Sequence, residues 1–213
     1  MAVPPWTIII PVKRLPLGKS RLRGAADDDL VLAVATDTVA AARSARGVAT
    51  VLVVTGDPDV ARVCAAIGAE ILADPEDGLN AAVRHGEART GTHGHRAALL
   101  ADLPALRHSE LAAALETAAG LSPPRRAFVA DHTGTGTTLL MAPPGIPLGP
   151  RFGGGSAAAH ARSGAYPLPG DRPSLRLDVD TPDDLGAAEA LGLGAGTRAA
   201  LTRARSGSAD LGR

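Results

Sequence analysis

Five cations, Lys13, Arg14, Lys19, Arg21 and Arg23, fall within eleven residues with no acid among them. Both lysines of the chain lie in this stretch, and every other basic residue is arginine. Lysine offers a compact point charge, and arginine a planar fork that grips phosphate or carboxylate at two points. The mixture suits a polyphosphate or a phosphorylated acid; the alternative is a solvated basic loop. Gly18-Lys19-Ser20 looks like the end of a phosphate-binding P-loop. That motif needs glycine where Lys13 stands, and Pro16 stiffens the interval. No G-x-G-x-x-G is present.

Acids supply the complementary signal. Asp102 follows the apolar run 97–101 and precedes Leu103-Pro104. Asp178 and Asp180 lie two apart in an alternating segment, so on a strand they share one face. Carboxylates converging at the carboxyl edge of a sheet form a hard-oxygen site for Mg2+, completed by substrate phosphates and water. Each feature has a plain alternative: a turn cap at Asp102, and helix-start chemistry at Asp178 to Asp183. Set against a basic loop, they point to nucleotidyl transfer. There an acceptor oxygen attacks the α-phosphorus of a nucleotide, diphosphate leaves, and fixed cations neutralise the developing charge. The mechanistic rival is a P-loop-like small-molecule kinase with Asp102 as its magnesium acid. The non-enzymatic rival is a nucleotide-binding regulator, which would not need three strand-end acids.

Two glycine-rich stretches add backbone donors. Asp131-His132-Thr133-Gly134-Thr135-Gly136-Thr137-Thr138 reads either as a hydroxyl-rich anion loop or as a hairpin connection. Arg151-Phe152-Gly153-Gly154-Gly155-Ser156 reads either as an anion site at a helix start or as a linker. Asp77-Gly78-Leu79-Asn80 opens a helix, with the Asn80 amide placed to read a base or to serve as a plain cap. His93-Gly94-His95 lacks a companion ligand at metal spacing and reads as a surface loop. Cys64 reads as a packing residue, and Trp6 as an anchor of the sheet edge.

These groups need a scaffold that brings chain segments far apart in sequence to one edge. Short β-branched or apolar runs predict strands at 7–12, 50–55, 70–72 and 97–102. Helical spacing predicts helices at 27–43, 58–67, 79–89 and 109–119. The β-α alternation implies an α/β fold with a mainly parallel sheet covered by helices on both faces. After Pro124 the runs 127–129 and 137–141 leave no room for a crossover helix and predict an antiparallel or edge insertion. An ordered loop over the sheet is expected at 143–155, a short helix at 156–163, a half-exposed strand at 175–180, and a helix capped by Thr181 with Pro182 at its first position. From Arg198 the chain is expected to be frayed or loosely helical.

Composition limits the function. The chain has 213 residues, 45% hydrophobic and 21% charged, which is enough for one compact α/β domain. Aromatics make up only 2%, so the core must be aliphatic. A formal net charge of zero argues against a nucleic-acid or membrane-surface partner. One cysteine can form no internal disulfide and fits a reducing, cytoplasmic setting. No apolar run approaches a membrane span, and the first five residues lack the layout of a signal peptide.

Several of these stretches occur in a characteristic order: Ile9-Ile10-Pro11-Val12-Lys13 through Gly18-Lys19-Ser20-Arg21-Leu22, Asp77-Gly78-Leu79-Asn80-Ala81-Ala82, Asp102-Leu103-Pro104-Ala105-Leu106, Gly134-Thr135-Gly136-Thr137-Thr138, Arg151-Phe152-Gly153 with Ser156, and Asp178-Val179-Asp180-Thr181-Pro182. The ordered set resembles the 2-phospho-L-lactate and phosphoenolpyruvate guanylyltransferases of coenzyme F-420 biosynthesis, and covers the chain to about residue 191. The resemblance implies a GT-A-like, Rossmann-like nucleotidyltransferase domain over 1–195 with a C-terminal tail at 196–213. It implies that GTP donates a guanylyl group to a three-carbon phospho-acid, with phosphoenolpyruvate the better match and 2-phospho-L-lactate or 3-phosphoglycerate the alternatives. By position, Asp102, Asp178 and Asp180 would hold Mg2+, and Thr138, Gly153 and Ser156 would hold the acceptor. Lys13 and Lys19, with Arg21, would meet the triphosphate, and Gly78 and Asn80 would contact the nucleotide. A homodimer is left open.

Overall fold

The computed structural model describes residues 4–13 and 28–210. β1 (Trp6–Val12), β2 (Val48–Thr55), β3 (Glu70–Ala73) and β4 (His95–Leu99) alternate with α1 (Asp28–Ser44), α2 (Pro58–Ala66) and α3 (Leu79–Thr90). Then follow α4 (His108–Ala119), β5 (Ala127–Ala130), β6 (Thr137–Ala142), α5 (Ser156–Arg162), β7 (Tyr166–Pro167), α6 (Pro173–Arg176), α7 (Pro182–Leu191) and α8 (Ala195–Asp210). Among the described residues these strands form one seven-stranded sheet in the order β3-β2-β1-β4-β6-β5-β7. β1 to β4 run parallel, and β6 is antiparallel to β4 and β5 on either side of it. The expected α/β architecture is present as a single domain, and the antiparallel insertion lies inside the sheet.

Successive strand residues point to opposite faces, and β1 feeds two cores in this way. Ile8 and Ile10 pack with Val39, Val53, Leu99, Leu111 and Leu115 on one side. Ile9 packs with Val54, Val83, Ala98, Leu140 and Phe152 on the other. On that second side α3 lies close to the sheet. A Cβ on Gly86 would stand 2.6 Å from Ile9 Cγ2, so only glycine fits there without a shift. A third cluster, including Leu30, Leu177, Val179, Leu185 and Leu201, joins α1, α7 and α8.

Four expectations change. β4 ends at Leu99, three residues before Asp102. Leu100 N–H still donates to Thr138 O, and Leu103 N–H turns to Thr38 Oγ1. Residues 175–180 do not form a strand. Pro173–Arg176 is a helical turn whose Ser174 and Leu175 amides donate to Glu110 Oε2, and the chain then crosses the sheet edge. The alternation there is real, because Leu175, Leu177 and Val179 are buried and Asp180 is exposed. It records a segment lying across a core and not a ladder. Of the two alternatives for the chain from 198, the helical one holds through residue 210, and the helix is anchored, not loose: Asp37 accepts from the Gly196 and Thr197 amides, and Ala200 and Leu201 are buried. Trp6 is buried within a central strand, not at a sheet edge, and its ring packs against His95 with centroids 4.8 Å apart. Cys64 is buried as expected, and burial pushes its thiol up to about 11, which leaves it unreactive.

Candidate active site

In an open α/β sheet the ligand-binding crevice lies beyond the carboxyl ends of the strands. Lys13 leaves β1 at that edge and is exposed. β4 lies beside β1 in parallel, with Ile9 opposite Ala98. Lys13 and Asp102 therefore both follow the carboxyl ends of neighbouring parallel strands. Lys19 and Arg21 lie outside the described residues.

Asp102 and Asp178 meet across the crossing segment. Val179 N–H donates to Asp102 O at 3.0 Å, which fixes the two aspartates relative to each other. Burial, followed by the charge of Asp102 and then those of Asp180 and Asp131, pushes the Asp178 carboxyl up to about 6. Asp180 is exposed, and its amide donates to Asp184 Oδ2. Among the described residues no three acidic, histidine or cysteine side chains stand close enough to hold a metal ion by themselves. Magnesium does not require this. It is commonly bound through one or two carboxylates, with the remaining positions filled by phosphate oxygens and water. A crowded, all-oxygen pair with a raised carboxyl pKa fits such an ion.

The crossing segment is clamped at both ends. Upstream, Arg176 donates through Nε to Ala130 O (3.1 Å) and through Nη2 to Asp131 O (2.8 Å). Downstream, Thr181 and Asp184 form a reciprocal capping box at the start of α7. Burial tends to raise the Asp184 carboxyl, but hydrogen bonds from the Thr181 hydroxyl and the Asp180 and Thr181 amides, with the charge of His132, hold it below the usual range. His132 stands between the two acids, its Nδ1 3.6 Å from Asp178 Oδ1 and its Nε2 3.6 Å from Asp184 Oδ1.

The β5–β6 turn is built around buried Asp131. Its Oδ1 accepts from Thr135 N–H (2.9 Å) and Thr133 Oγ1 (3.0 Å), and its Oδ2 from Gly136 N–H (2.8 Å). A Cβ on Gly136 would stand 2.4 Å from that same Oδ2. Gly136→Ala is therefore expected to evict the carboxylate and loosen the turn, destabilising the protein by about 1–3 kcal/mol. Urea denaturation checks this; an unchanged midpoint would show that the turn relaxes freely.

Thr138 follows this turn, and the 153–157 segment joins it through Ala157 N–H, which donates to Thr135 O. Thr138 is fully buried, and its Oγ1 has no hydrogen-bond partner among the described residues. Gly153 has φ 131°, and a Cβ there would meet nothing within 4 Å. Ser156 is buried at the start of α5. Gly78 caps α3 with φ 83° in open space. Asn80, expected to read a base or cap the helix, makes no cap hydrogen bond. Its Nδ2 donates to Phe152 O (2.9 Å) and its Oδ1 accepts from Phe152 N–H (2.8 Å), so the amide fastens the 151–156 loop.

Nothing local in the sequence marks His160 or Arg176, whose partners are remote. The capping box was legible in the Thr181-Pro182-Asp183-Asp184 spacing, which matches the S/T-x-x-D/E signature.

A mainly parallel sheet, a lysine leaving a central strand and the Asp102–Asp178 pair are the parts that nucleotidyl transfer calls for. Solved structures share this fold. A nucleotidyl transferase from Methanothermobacter thermautotroptrophicus superposes with a TM-score of 0.66 at 18% identity, covering 88% of this chain and 97% of its own. A 4-diphosphocytidyl-2C-methyl-D-erythritol synthase does so with a TM-score of 0.58 at 15% identity, covering 88% and 98%. The family described as guanylyl transferase CofC like matches residues 6–205, and the chain belongs to it. Phosphoenolpyruvate guanylyltransferase from Salinispora arenicola is 58% identical over 92% of both chains. The enzyme of that name from Geodermatophilus obscurus is 51% identical, covering 94% of this chain and 96% of its own. No helix among the described residues is long and apolar enough to cross a membrane.

Proposed function

We propose that this chain transfers GMP from GTP to phosphoenolpyruvate, giving enolpyruvoyl-2-diphospho-5'-guanosine and diphosphate, in coenzyme F-420 biosynthesis. The observation that carries this reading is 58% identity, across 92% of each chain, to a relative that bears the name of that activity. An oxygen of the acceptor's phosphate attacks the α-phosphorus of GTP. The bond from that phosphorus to the oxygen bridging it to the β-phosphorus breaks, and diphosphate departs with the electron pair.

Asp102 and Asp178, with exposed Asp180 beside them, hold Mg2+ together with the phosphates. Bound there, the ion neutralises charge that develops on the phosphoryl oxygens. Lys13 and Lys19, with Arg21, bind the triphosphate by point charge and fork. Gly78, free of a Cβ at the start of α3, lets the nucleotide approach the backbone. Thr138, Gly153 and Ser156 bind the acceptor. The unpartnered Thr138 hydroxyl and the open surface at Gly153 support that role.

The test is a diphosphate-release assay with Mg2+, pairing GTP or CTP with phosphoenolpyruvate, 2-phospho-L-lactate or 3-phosphoglycerate. Release with GTP and phosphoenolpyruvate above the other pairs is expected. Faster release with another acid would reassign the acceptor, and formation of a nucleoside diphosphate would replace the transferase reading with a kinase.

A further inference from the structure

We infer that His160 is a positioning residue for the acceptor pocket, fixing the 151–156 loop against β6 through its two ring nitrogens. The inference rests on the reading of Thr138, Gly153 and Ser156 as acceptor-binding groups.

His160 is fully buried on α5, the ring edge-on to Phe152 with centroids 5.2 Å apart. Arg151 N–H points to its Nε2 at 2.9 Å, and Thr137 Oγ1 lies 2.9 Å from its Nδ1. A backbone N–H can only donate, so Nε2 must present a lone pair. The proton of the neutral ring then sits on Nδ1 and is donated to Thr137 Oγ1, which fixes the tautomer. Burial, with the charges of Arg126 and Arg151 adding to it, lowers the ring's pKa to about 4, so this neutral form persists near neutral pH.

The consequence is geometric. Thr137 precedes Thr138, and Arg151 lies two residues before Gly153. One rigid ring therefore spans the two chain segments that carry the acceptor groups. Asn80 holds the next residue, Phe152, by both its backbone N–H and C=O. Three backbone groups of two successive residues are thus fastened immediately before the loop opens at Gly153.

Three variants dissect the ring. A glutamine amide reaches the place of Nε2 and can accept from Arg151 N–H. An asparagine amide reaches only the place of Nδ1. Leucine fills the space with neither function. His160→Leu is expected to raise KM for phosphoenolpyruvate roughly tenfold, as for one lost buried hydrogen bond, while KM for GTP stays within about twofold. His160→Gln should recover most of the acceptor KM, and His160→Asn should not. If the leucine variant does not fold, the glutamine and asparagine pair gives the same reading. Parallel rises in both KM values, following the loss in Tm, would reduce His160 to a structural residue and overturn the inference. So would an unchanged acceptor KM in all three variants. Thr138→Val and Ser156→Ala separate the two levels. If they raise acceptor KM and the His160 variants do not, the positioning role alone fails. If neither raises it, the pocket reading fails and takes the inference with it.

Discussion

Asp178→Asn is expected to lower turnover about 10³-fold, the scale of losing a main electrostatic contact to the transferring group, while leaving the metal-free protein more stable at pH 7.5. The two effects have one cause. Asp178 sits partly buried beside Asp102, Asp131 and Asp180, and its carboxyl is raised from 3.8 to about 6. A raised acid means that the folded state binds the proton more tightly than the unfolded chain does. Stability therefore falls as pH rises through the window from about 4 to 6, and the full penalty persists above it. Asparagine keeps the shape and removes the charge, so the variant escapes the penalty. Melting curves across pH should show wild type and variant converging near pH 4 and separating above 6, with the variant higher. Adding Mg2+ with GTP should raise the wild-type Tm by binding linkage, and the variant's much less. Full activity in the variant would remove Asp178 from the metal site. A variant that melts lower at neutral pH would show that its carboxylate serves packing.

Arg96→Met carries the largest expected loss of stability, about 3–5 kcal/mol, with KM values unchanged in the protein that remains folded. Arg96 is only 1% exposed and lies near the amino end of β4, opposite the edge that carries the acids. Its Nη1 donates to Gly94 O and its Nη2 to Ile146 O, both at 2.6 Å, and its Nε faces Glu87 Oε1 at 3.4 Å. Glu87 Oε1 also accepts from Leu148 N–H at 2.7 Å. The pair thus pins the loop after β6 to α3 and β4. Removing the guanidinium leaves two carbonyls and a largely buried carboxylate without their cation. Against the 5–15 kcal/mol typical of a folded domain, that loss is large, and for a chain of this size Tm should fall by roughly 10 °C. A second change, Glu87→Gln, should restore part of it by removing the stranded charge. A shift of only a degree or two in the single variant would show that water replaces the guanidinium at little cost.

Much of the fold was legible because its signals are local. The runs at 7–12 and 50–55 are short, apolar and β-branched, as strands buried on both faces must be. Pro58 marks the first turn of α2 because its fixed φ suits a helix start and its missing N–H would have no partner there. The segment 175–180 misled because the sequence reports which side chains are buried, not what buries them. A chain crossing a core edge alternates just as a strand does. Asn80 misled for a related reason: its position at a helix start suggests a cap, yet its partner is Phe152, 72 residues away.

The sequence alone determined the α/β class, the aliphatic core and the kinds of group available for phosphate and magnesium chemistry, since propensity, periodicity and residue type act within a few positions of the chain. Tertiary structure decided which of those groups meet. It set the strand order β3-β2-β1-β4-β6-β5-β7, the meeting of Asp102 with Asp178, and the ring of His160 between Thr137 and Arg151. Hydrogen bonds and carboxylate repulsion act over a few ångströms of space whatever the separation along the chain, so they leave no periodic trace in the sequence and take effect only once the sheet has assembled.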